Sequence, residues 1–97
     1  MKPTAAQVIA KEDLERLRFP QEAVLLSDAH RAELKQKVSR AVQLGNGEHG
    51  KCRILFRDAE GLKAVETTIW SADDRTLVLK YGATIPLGRV IDIGMPL

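Results

Sequence analysis

The pattern of apolar and polar residues divides the chain into a helical first half and an extended second half. Beyond residue 50, short runs alternate between apolar and polar side chains and are separated by turn-forming residues, which is typical of β-strands. The extended segments predicted from this pattern are 51–57, 62–70, 76–80 and, with a break, 84–93. We therefore predict an α+β fold, mainly helical over residues 1–44 and β over residues 51–93.

The first two extended segments predict the clearest β-hairpin. The sequence between them, Asp-Ala-Glu-Gly at 58–61, is typical of a four-residue loop that ends in glycine. Pairing across this loop opposes Ile54 to Val65, Cys52 to Thr67 and Arg53 to Glu66. The predicted inner face comprises Cys52, Ile54, Phe56, Val65, Thr67 and Ile69. The predicted outer face comprises Lys51, Arg53, Arg57, Glu66 and Thr68. A register shift of one residue would place Arg53 among the apolar side chains, so the pattern specifies the register.

The last two segments predict a second reversal of the chain. Residues 81–83, Tyr-Gly-Ala, form the turn, because Gly82 can adopt a positive φ angle. This turn predicts that Leu79 opposes Ile85 and that Leu77 opposes Leu87. Pro86 has no N–H to donate and marks an edge or the end of the strand. Residues 87–89 then predict one tight turn before a short strand over 90–93, and the whole pattern suggests a small, partly open antiparallel barrel of four or five strands.

The best helix of the first half is predicted between Asp28 and Gln43. Ser27 is its N-cap, and Asp28 places a negative charge in the first turn, where the helix dipole favours it. The apolar stripe comprises Leu34, Val38, Ala41 and Val42, at helical spacing. Gly45 is predicted as the left-handed C-terminal cap. We expect this helix to cover an open end of the barrel.

The first thirty residues give weaker signals. Thr4 and Gln7 have the spacing of a capping box, which predicts a helix from about Ala5. Residues 11–17 either continue this helix or begin a second short one, and Phe19-Pro20 ends it. Residues 22–26 are too short to assign by periodicity and are compatible with a strand that packs on the barrel.

Four short runs resemble a family of short bacterial proteins with no assigned function. They are Val-Glu-Thr-Thr-Ile-Trp at 65–70, Leu-Lys-Tyr-Gly at 79–82, Ile-Pro-Leu-Gly-Arg-Val at 85–90 and Leu-Gly-Asn at 44–46. More remotely, the strand pattern is similar to the Sm-like and SH3-like barrels, including those of WYL regulatory domains and small Rho-binding inhibitors. The resemblance implies the barrel fold only. The Trp-Tyr-Leu tripeptide and the loops through which Sm proteins hold RNA are absent.

Composition places limits on the function. The chain has 97 residues, which predicts a single domain, and a net charge of +2 that is too balanced to indicate a nucleic-acid binder by itself. Its single cysteine excludes an internal disulfide and is typical of a cytoplasmic protein. The longest early apolar run, residues 8–10, is too short for a signal peptide or a membrane span.

The motifs that suggest chemistry have simpler structural interpretations. Residues 45–50 match Gly-x-Gly-x-x-Gly, but a helix precedes them and a strand follows, the reverse of a dinucleotide site, so we expect a flexible connector. His49 and Cys52 with Glu48 provide too few ligands for structural zinc, because His30 lies apart on the helix. No nucleophile, base and acid occur in a suitable context. Asp73-Asp74 is predicted to be a turn. We expect no enzyme, cofactor or metal.

Two functional classes remain open. In the first, the protein binds a partner protein or a second copy of itself, through an open strand edge or through Trp70 if this side chain is exposed rather than covered. In the second, it binds nucleic acid electrostatically. The candidate residues for either surface are Arg31, Lys35, Lys37, Arg40, Lys51, Arg53, Arg57 and Trp70. We favour a non-catalytic binding or regulatory module that acts through protein contacts.

Overall fold

The computed structural model describes residues 6–48 and 50–94. Its regular elements are β1 (Gln7–Ile9), α1 (Asp28–Glu48), β2 (Cys52–Arg57), β3 (Leu62–Thr67), β4 (Ile69–Ala72), β5 (Thr76–Leu79), β6 (Thr84–Pro86) and β7 (Val90–Gly94). Short 3₁₀ helices span Lys11–Arg16, Lys80–Gly82 and Leu87–Arg89. The predicted α+β class is confirmed.

The described strands pair as two separate sheets. The first has the order β1-β3-β2-β7, with β1 parallel to β3 and the remaining pairs antiparallel. The second is antiparallel and has the order β4-β5-β6. Seven strands are described where four or five were predicted, and β1 pairs in parallel where all pairs were predicted to be antiparallel. Hydrogen bonding within these residues does not close a single barrel, so the predicted small barrel is not confirmed.

The predicted hairpin of β2 and β3 is confirmed with its register. Ile54 opposes Val65, Cys52 opposes Thr67, and Arg53 opposes Glu66. All the side chains of the predicted inner face are buried, and Arg53 and Glu66 form an ion pair on the outer face. Alternation is therefore sufficient here, because only this register keeps Arg53 and Glu66 off the face that Cys52, Ile54 and Val65 share.

The predicted continuous strand over 62–70 is wrong, because the chain changes sheets within it. Strand β3 ends at Thr67 and β4 begins at Ile69. Thr68 lies at the crossing, where its carbonyl accepts a hydrogen bond from the Lys80 N–H at 2.9 Å. It is buried rather than on the exposed outer face, since the two sheets and the helix meet at this point.

The turn between β5 and β6 occurs one residue earlier than predicted. The Leu79 N–H donates to the Ala83 carbonyl at 2.7 Å, and Leu77 opposes Ile85. Tyr81 and Gly82 both have positive φ angles, of 70° and 89°, so the reversal is made by Lys80–Gly82. The resulting shift of two residues keeps every side chain on its predicted face, because strands have a period of two. The predicted edge position of Pro86 at the end of β6, the turn at 87–89 and the final strand are confirmed.

Helix α1 begins as predicted but ends later. The Ser27 Oγ accepts a hydrogen bond from the His30 N–H at 3.0 Å, which is an N-cap. The helix continues through Gly45 to Glu48, so Gly45 is not a C-terminal cap. A Cβ atom at Gly45 would lie 2.2 Å from the Ile69 carbonyl oxygen. This glycine is therefore required for the close approach of the helix to β4.

The N-terminal segment differs from its prediction. The start of the predicted helix near Ala5 lies outside the described residues, and Gln7–Ile9 form a strand rather than a helix. Their backbone pairs with the exposed edge of β3, which outweighs a weak helical preference. Residues 22–26 do not form a strand. Instead, the Val24 N–H donates to the Gly88 carbonyl at 2.8 Å, which holds this segment against the turn before β7.

The core lies between the two sheets and the helix. Leu34, Val38 and Ala41 of α1 are buried, while Val42 is half-buried at the margin. They belong to one cluster with the inner faces of both sheets. Because α1 packs on β4 from the second sheet and on β7 from the first, the helix connects the two sheets.

Candidate binding surfaces

The basic residues predicted to form a binding surface fall into two groups. Lys37 Nζ lies 2.7 Å from Asp92 Oδ1, and Arg53 pairs with Glu66 across the hairpin. The remaining cations are exposed and form no ion pair with any residue in the described part of the chain; they are Arg31, Lys35, Arg40, Lys51 and Arg57. Their charge is available to a ligand, whereas that of Lys37 and Arg53 is already compensated within the fold.

The Lys37–Asp92 pair joins α1 to β7. Its hydrogen bond and the opposite charge raise the pKa of Lys37. Partial burial tends to raise the pKa of Asp92, but the hydrogen bonds from Lys37 and from the Ile93 N–H outweigh it, so the pKa lies below its ordinary value. His30 adds a second contact in the same place, with Nε2 2.7 Å from the Ile91 carbonyl oxygen. The N-terminal half of the helix is thus fixed to β7 by polar contacts.

Trp70 lies in an exposed aromatic patch. Its side chain is 42% exposed, and that of Tyr81 is 72% exposed. The two ring centroids are 6.2 Å apart, within the range of favourable aromatic pairs. Lys11 Nζ lies 4.5 Å and Lys80 Nζ 5.3 Å from the centre of the Tyr81 ring. We refer to these side chains, Trp70, Tyr81, Lys11 and Lys80, as the aromatic patch.

Three separate parts of the chain place these side chains together. Trp70 follows the fully buried Ile69 in β4, at an irregularity of the ladder between β4 and β5. Tyr81 projects from the turn between β5 and β6, and its backbone has a left-handed conformation that residues other than glycine rarely adopt. Lys11 begins the 3₁₀ helix that follows β1. Parallel pairing of β1 with β3 therefore brings an N-terminal cation to the C-terminal half.

Trp70 is the one residue of this patch that was predicted from the sequence as a candidate for binding. Tyr81 was assigned to a turn, and a large aromatic side chain next to glycine in a turn is the signal that indicates its exposure. Lys11 has no such signal, because its position depends on the parallel pairing of β1, which spans more than fifty residues. Arg53 lies on β2 and Lys51 directly precedes this strand in the other sheet. The predicted pairing of 51–57 with a continuous strand over 62–70 would have placed both residues beside Trp70, and the change of sheets at Thr68 separates them.

The structure places two glycines of the glycine-rich motif inside helix α1 and places Cys52 in the core. Gly45 and Gly47 lie inside α1, and His49 lies outside the described residues. Cys52 is 1% exposed, its thiol donates to the Thr67 carbonyl at 3.4 Å, and burial raises its pKa to about 11. Within residues 6–48 and 50–94, no group of three or more His, Cys, Asp and Glu side chains is placed to hold a metal ion.

The Asp-Asp sequence at 73–74 forms the predicted turn between β4 and β5. Asp73 Oδ1 accepts hydrogen bonds from the backbone N–H groups of Arg75 and Thr76, both at 2.8 Å. These bonds hold the pKa of Asp73 below its ordinary value. The carboxylate therefore stabilises the turn.

A buried ion pair closes the loop between β2 and β3. Lys63 Nζ lies 2.7 Å from Asp58 Oδ2, and both side chains are almost inaccessible to solvent. Asp58 Oδ1 accepts from the N–H groups of Glu60 and Gly61 at 2.8 and 2.9 Å. Burial opposes the ionised form of Asp58, but these hydrogen bonds outweigh it and lower the pKa of this carboxyl; the same pair raises the pKa of Lys63.

Comparisons with known proteins do not identify a relative. The chain matches no family model, no curated protein and no solved structure. In the described residues, no helix is both long and apolar enough to cross a membrane. The functional interpretation consequently depends on the surface itself.

Proposed function

We propose that this protein is a non-catalytic binding module that contacts a partner protein through the aromatic patch. The observation that supports the proposal is the exposed pair of Trp70 and Tyr81, with the ammonium groups of Lys11 and Lys80 close to the Tyr81 ring. Tryptophan and tyrosine are enriched among the residues that contribute most to protein interfaces. They bury much apolar area and lose little side-chain entropy when they bind.

The conformation of Tyr81 supports the same interpretation. A left-handed backbone at a residue other than glycine costs on the order of 1–2 kcal/mol. Such local strain occurs preferentially at functional sites. Glycine would remove the cost at this position, and asparagine would reduce it, yet neither would provide a ring.

The chemistry of the patch selects a type of partner. The aromatic faces favour apolar side chains, and the ammonium groups of Lys11 and Lys80 favour carboxylates. We therefore expect the partner to present a segment that contains both apolar and acidic residues. The charges of Lys11 and Lys80 should influence the rate of association more than the affinity.

The experiment is affinity purification from nuclease-treated extract of the native cells. The tagged wild-type protein is compared with the double variant Trp70→Ala/Tyr81→Asn, in which asparagine tolerates the left-handed backbone. Loss of two anchoring side chains should reduce recovery of the specific partner by at least about tenfold. The matched control is Leu25→Ala, because Leu25 is 95% exposed and lies outside the patch. The proposal fails if the double variant recovers the same proteins as the wild type and the control.

Single-stranded nucleic acid is the second candidate ligand. Exposed aromatic rings can stack on bases, and the unpaired cations Arg31, Lys35 and Arg40 can contact phosphates. Binding would weaken by roughly 0.7–0.9 log units per log unit of salt for each phosphate contact. Neutralising Arg31, Lys35 and Arg40 together should then flatten the salt dependence, whereas Trp70→Ala should lower affinity without flattening it.

Lys37 provides the control for this test, since Asp92 already compensates its charge. Lys37→Gln should change the salt dependence less than Lys35→Gln does. If the wild type does not retain single-stranded RNA or DNA at about 50 mM salt, where electrostatic binding is strong, the protein partner remains the proposal.

The similarity to Sm-like and SH3-like barrels is likewise a proposal, and it concerns the arrangement of strands only.

A further inference from the structure

A groove runs beside helix α1 on a surface that shares no residue with the aromatic patch. Its volume is about 570 Å³, which is within the range of small-molecule sites. One side is formed by α1, and the other by Val24, Leu26, Leu87 and Ala72 from three other segments. The groove is open to solvent rather than fully enclosed.

The helical residues that line the groove form two parallel rows. Leu34, Val38 and Val42 are spaced by four and provide an apolar floor. Arg31, Lys35, Ser39 and Gln43 are also spaced by four and provide a polar margin next to this floor. With a rise of about 1.5 Å per residue, the margin extends roughly 18 Å along the helix. The groove is therefore elongated, apolar at its base and polar along one side.

The positive charge of this margin is confined to the N-terminal half. Arg31 and Lys35 are exposed and form no ion pair with the described residues, in contrast to Lys37, two residues beyond Lys35, which pairs with Asp92. The acidic residues on the rim are Asp73 and Asp74. Asp73 is engaged by backbone N–H groups. Among the ion pairs of the described residues, none joins Asp73 or Asp74 to Arg31 or Lys35. An anion placed near these two cations would thus meet uncompensated positive charge.

We infer that the groove binds an acyl-chain carboxylate, with its hydrocarbon chain along the apolar floor and its carboxylate at Arg31 and Lys35. An elongated apolar floor buries a flexible chain, and each buried CH₂ contributes about 0.8 kcal/mol. The guanidinium of Arg31 can form paired hydrogen bonds with a carboxylate, and Lys35 adds a second charge one turn along the helix. This inference is independent of the protein-binding function, because the two surfaces have different residues.

The test is titration of the protein with dodecanoate below its micellar concentration, followed by amide chemical shifts and calorimetry. We expect saturable binding of one molecule, with shifts concentrated at residues that line the groove. The variant Arg31→Gln/Lys35→Gln should bind dodecanoate about tenfold more weakly, because it loses one or two charge-assisted hydrogen bonds at a partly solvated site. The matched control, Arg40→Gln/Lys51→Gln, removes the same charge from exposed positions outside the groove and should bind like the wild type.

Two further measurements make the inference falsifiable. Dodecanol has the same chain without the charge and should bind the wild type more weakly than dodecanoate, with little difference between the wild type and the groove variant. The inference is overturned if binding of dodecanoate does not saturate, if both double variants weaken it equally, or if dodecanol binds as tightly as dodecanoate. Because the variants leave the aromatic patch intact, these outcomes do not affect the test of partner binding.

Discussion

Gly45 shows how a single residue determines the distance between the helix and the second sheet. In an exposed helix, replacing glycine by alanine usually stabilises the fold by about 0.5–1 kcal/mol. At Gly45 the added Cβ would lie 2.2 Å from the Ile69 carbonyl oxygen and 3.0 Å from Thr68 Cγ2. The first of these contacts involves backbone, which cannot rotate away as a side chain can.

We therefore predict opposite effects for two glycines in the same helix. Gly45→Ala should destabilise the protein by about 1–3 kcal/mol, because α1 must move away from β4. Gly47→Ala should stabilise it by up to about 0.5–1 kcal/mol, since a Cβ at Gly47 meets nothing within 4 Å. Urea unfolding of both variants measures the difference. A stabilising effect at Gly45 would mean that the close approach to Ile69 is not needed.

The elements that were predicted correctly are those whose conformation and register are determined by residues close to one another in the sequence. Strand β2 alternates along its length, and only one register with β3 keeps Arg53 and Glu66 out of the core. Helix α1 has an N-cap and a long apolar stripe. By contrast, β5 and β6 have two registers that bury the same faces, so alternation could not choose between them. The observed register has its turn at Tyr81 and Gly82, which both have positive φ angles.

The errors occurred where a distant segment determines the local structure. Strand β1 has three described residues and pairs with a strand more than fifty residues away, so no periodicity within it indicates its conformation. Gly45 resembles a helix cap in sequence, and only the proximity of Ile69 reveals its function. The position of Lys11 in the aromatic patch has the same origin, because it depends on the pairing of β1 with β3.

The loop between β2 and β3 makes the stability of this hairpin dependent on pH. The pKa of Asp58 is lower in the folded protein than its ordinary value of 3.8. Its contribution to stability is therefore fully present above about pH 4 and is lost as the pH falls through the folded pKa. Protonation would also leave Lys63 buried beside a neutral partner.

We predict that Asp58→Asn lowers the free energy of unfolding at neutral pH and makes it less dependent on pH below about 4. Asparagine keeps an oxygen that can accept from the Glu60 and Gly61 N–H groups, so the change mainly removes the charge. Asp74→Asn is the control for the loss of one negative charge, because Asp74 is exposed in another turn. Urea unfolding between about pH 2 and 7 measures both variants. Equal acid dependence in Asp58→Asn and the wild type would contradict this assignment.

At the scale of the whole molecule, helix α1 packs on both sheets, whose strands are not hydrogen-bonded into one ladder. Polar contacts of His30 and Lys37 fix it to β7, and Gly45 packs it against β4. Leu34 belongs to the core cluster that also contains Ile54 of the first sheet and Leu77 of the second. The sheets share this core, and their strands are not hydrogen-bonded into one ladder.

This architecture predicts that the two sheets unfold together and that α1 determines their common stability. Leu34→Ala should cost about 2–5 kcal/mol by leaving a cavity. Native-state hydrogen exchange should then show the same loss of protection at the Ile54 amide and at the Leu77 amide, each in the central part of its sheet. Val8→Ala, in the exposed edge strand β1, should leave both amides unchanged. If Leu77 lost protection while Ile54 kept it, the sheets would be separate folding units, because a helix that truly connects them must destabilise both when its packing is weakened.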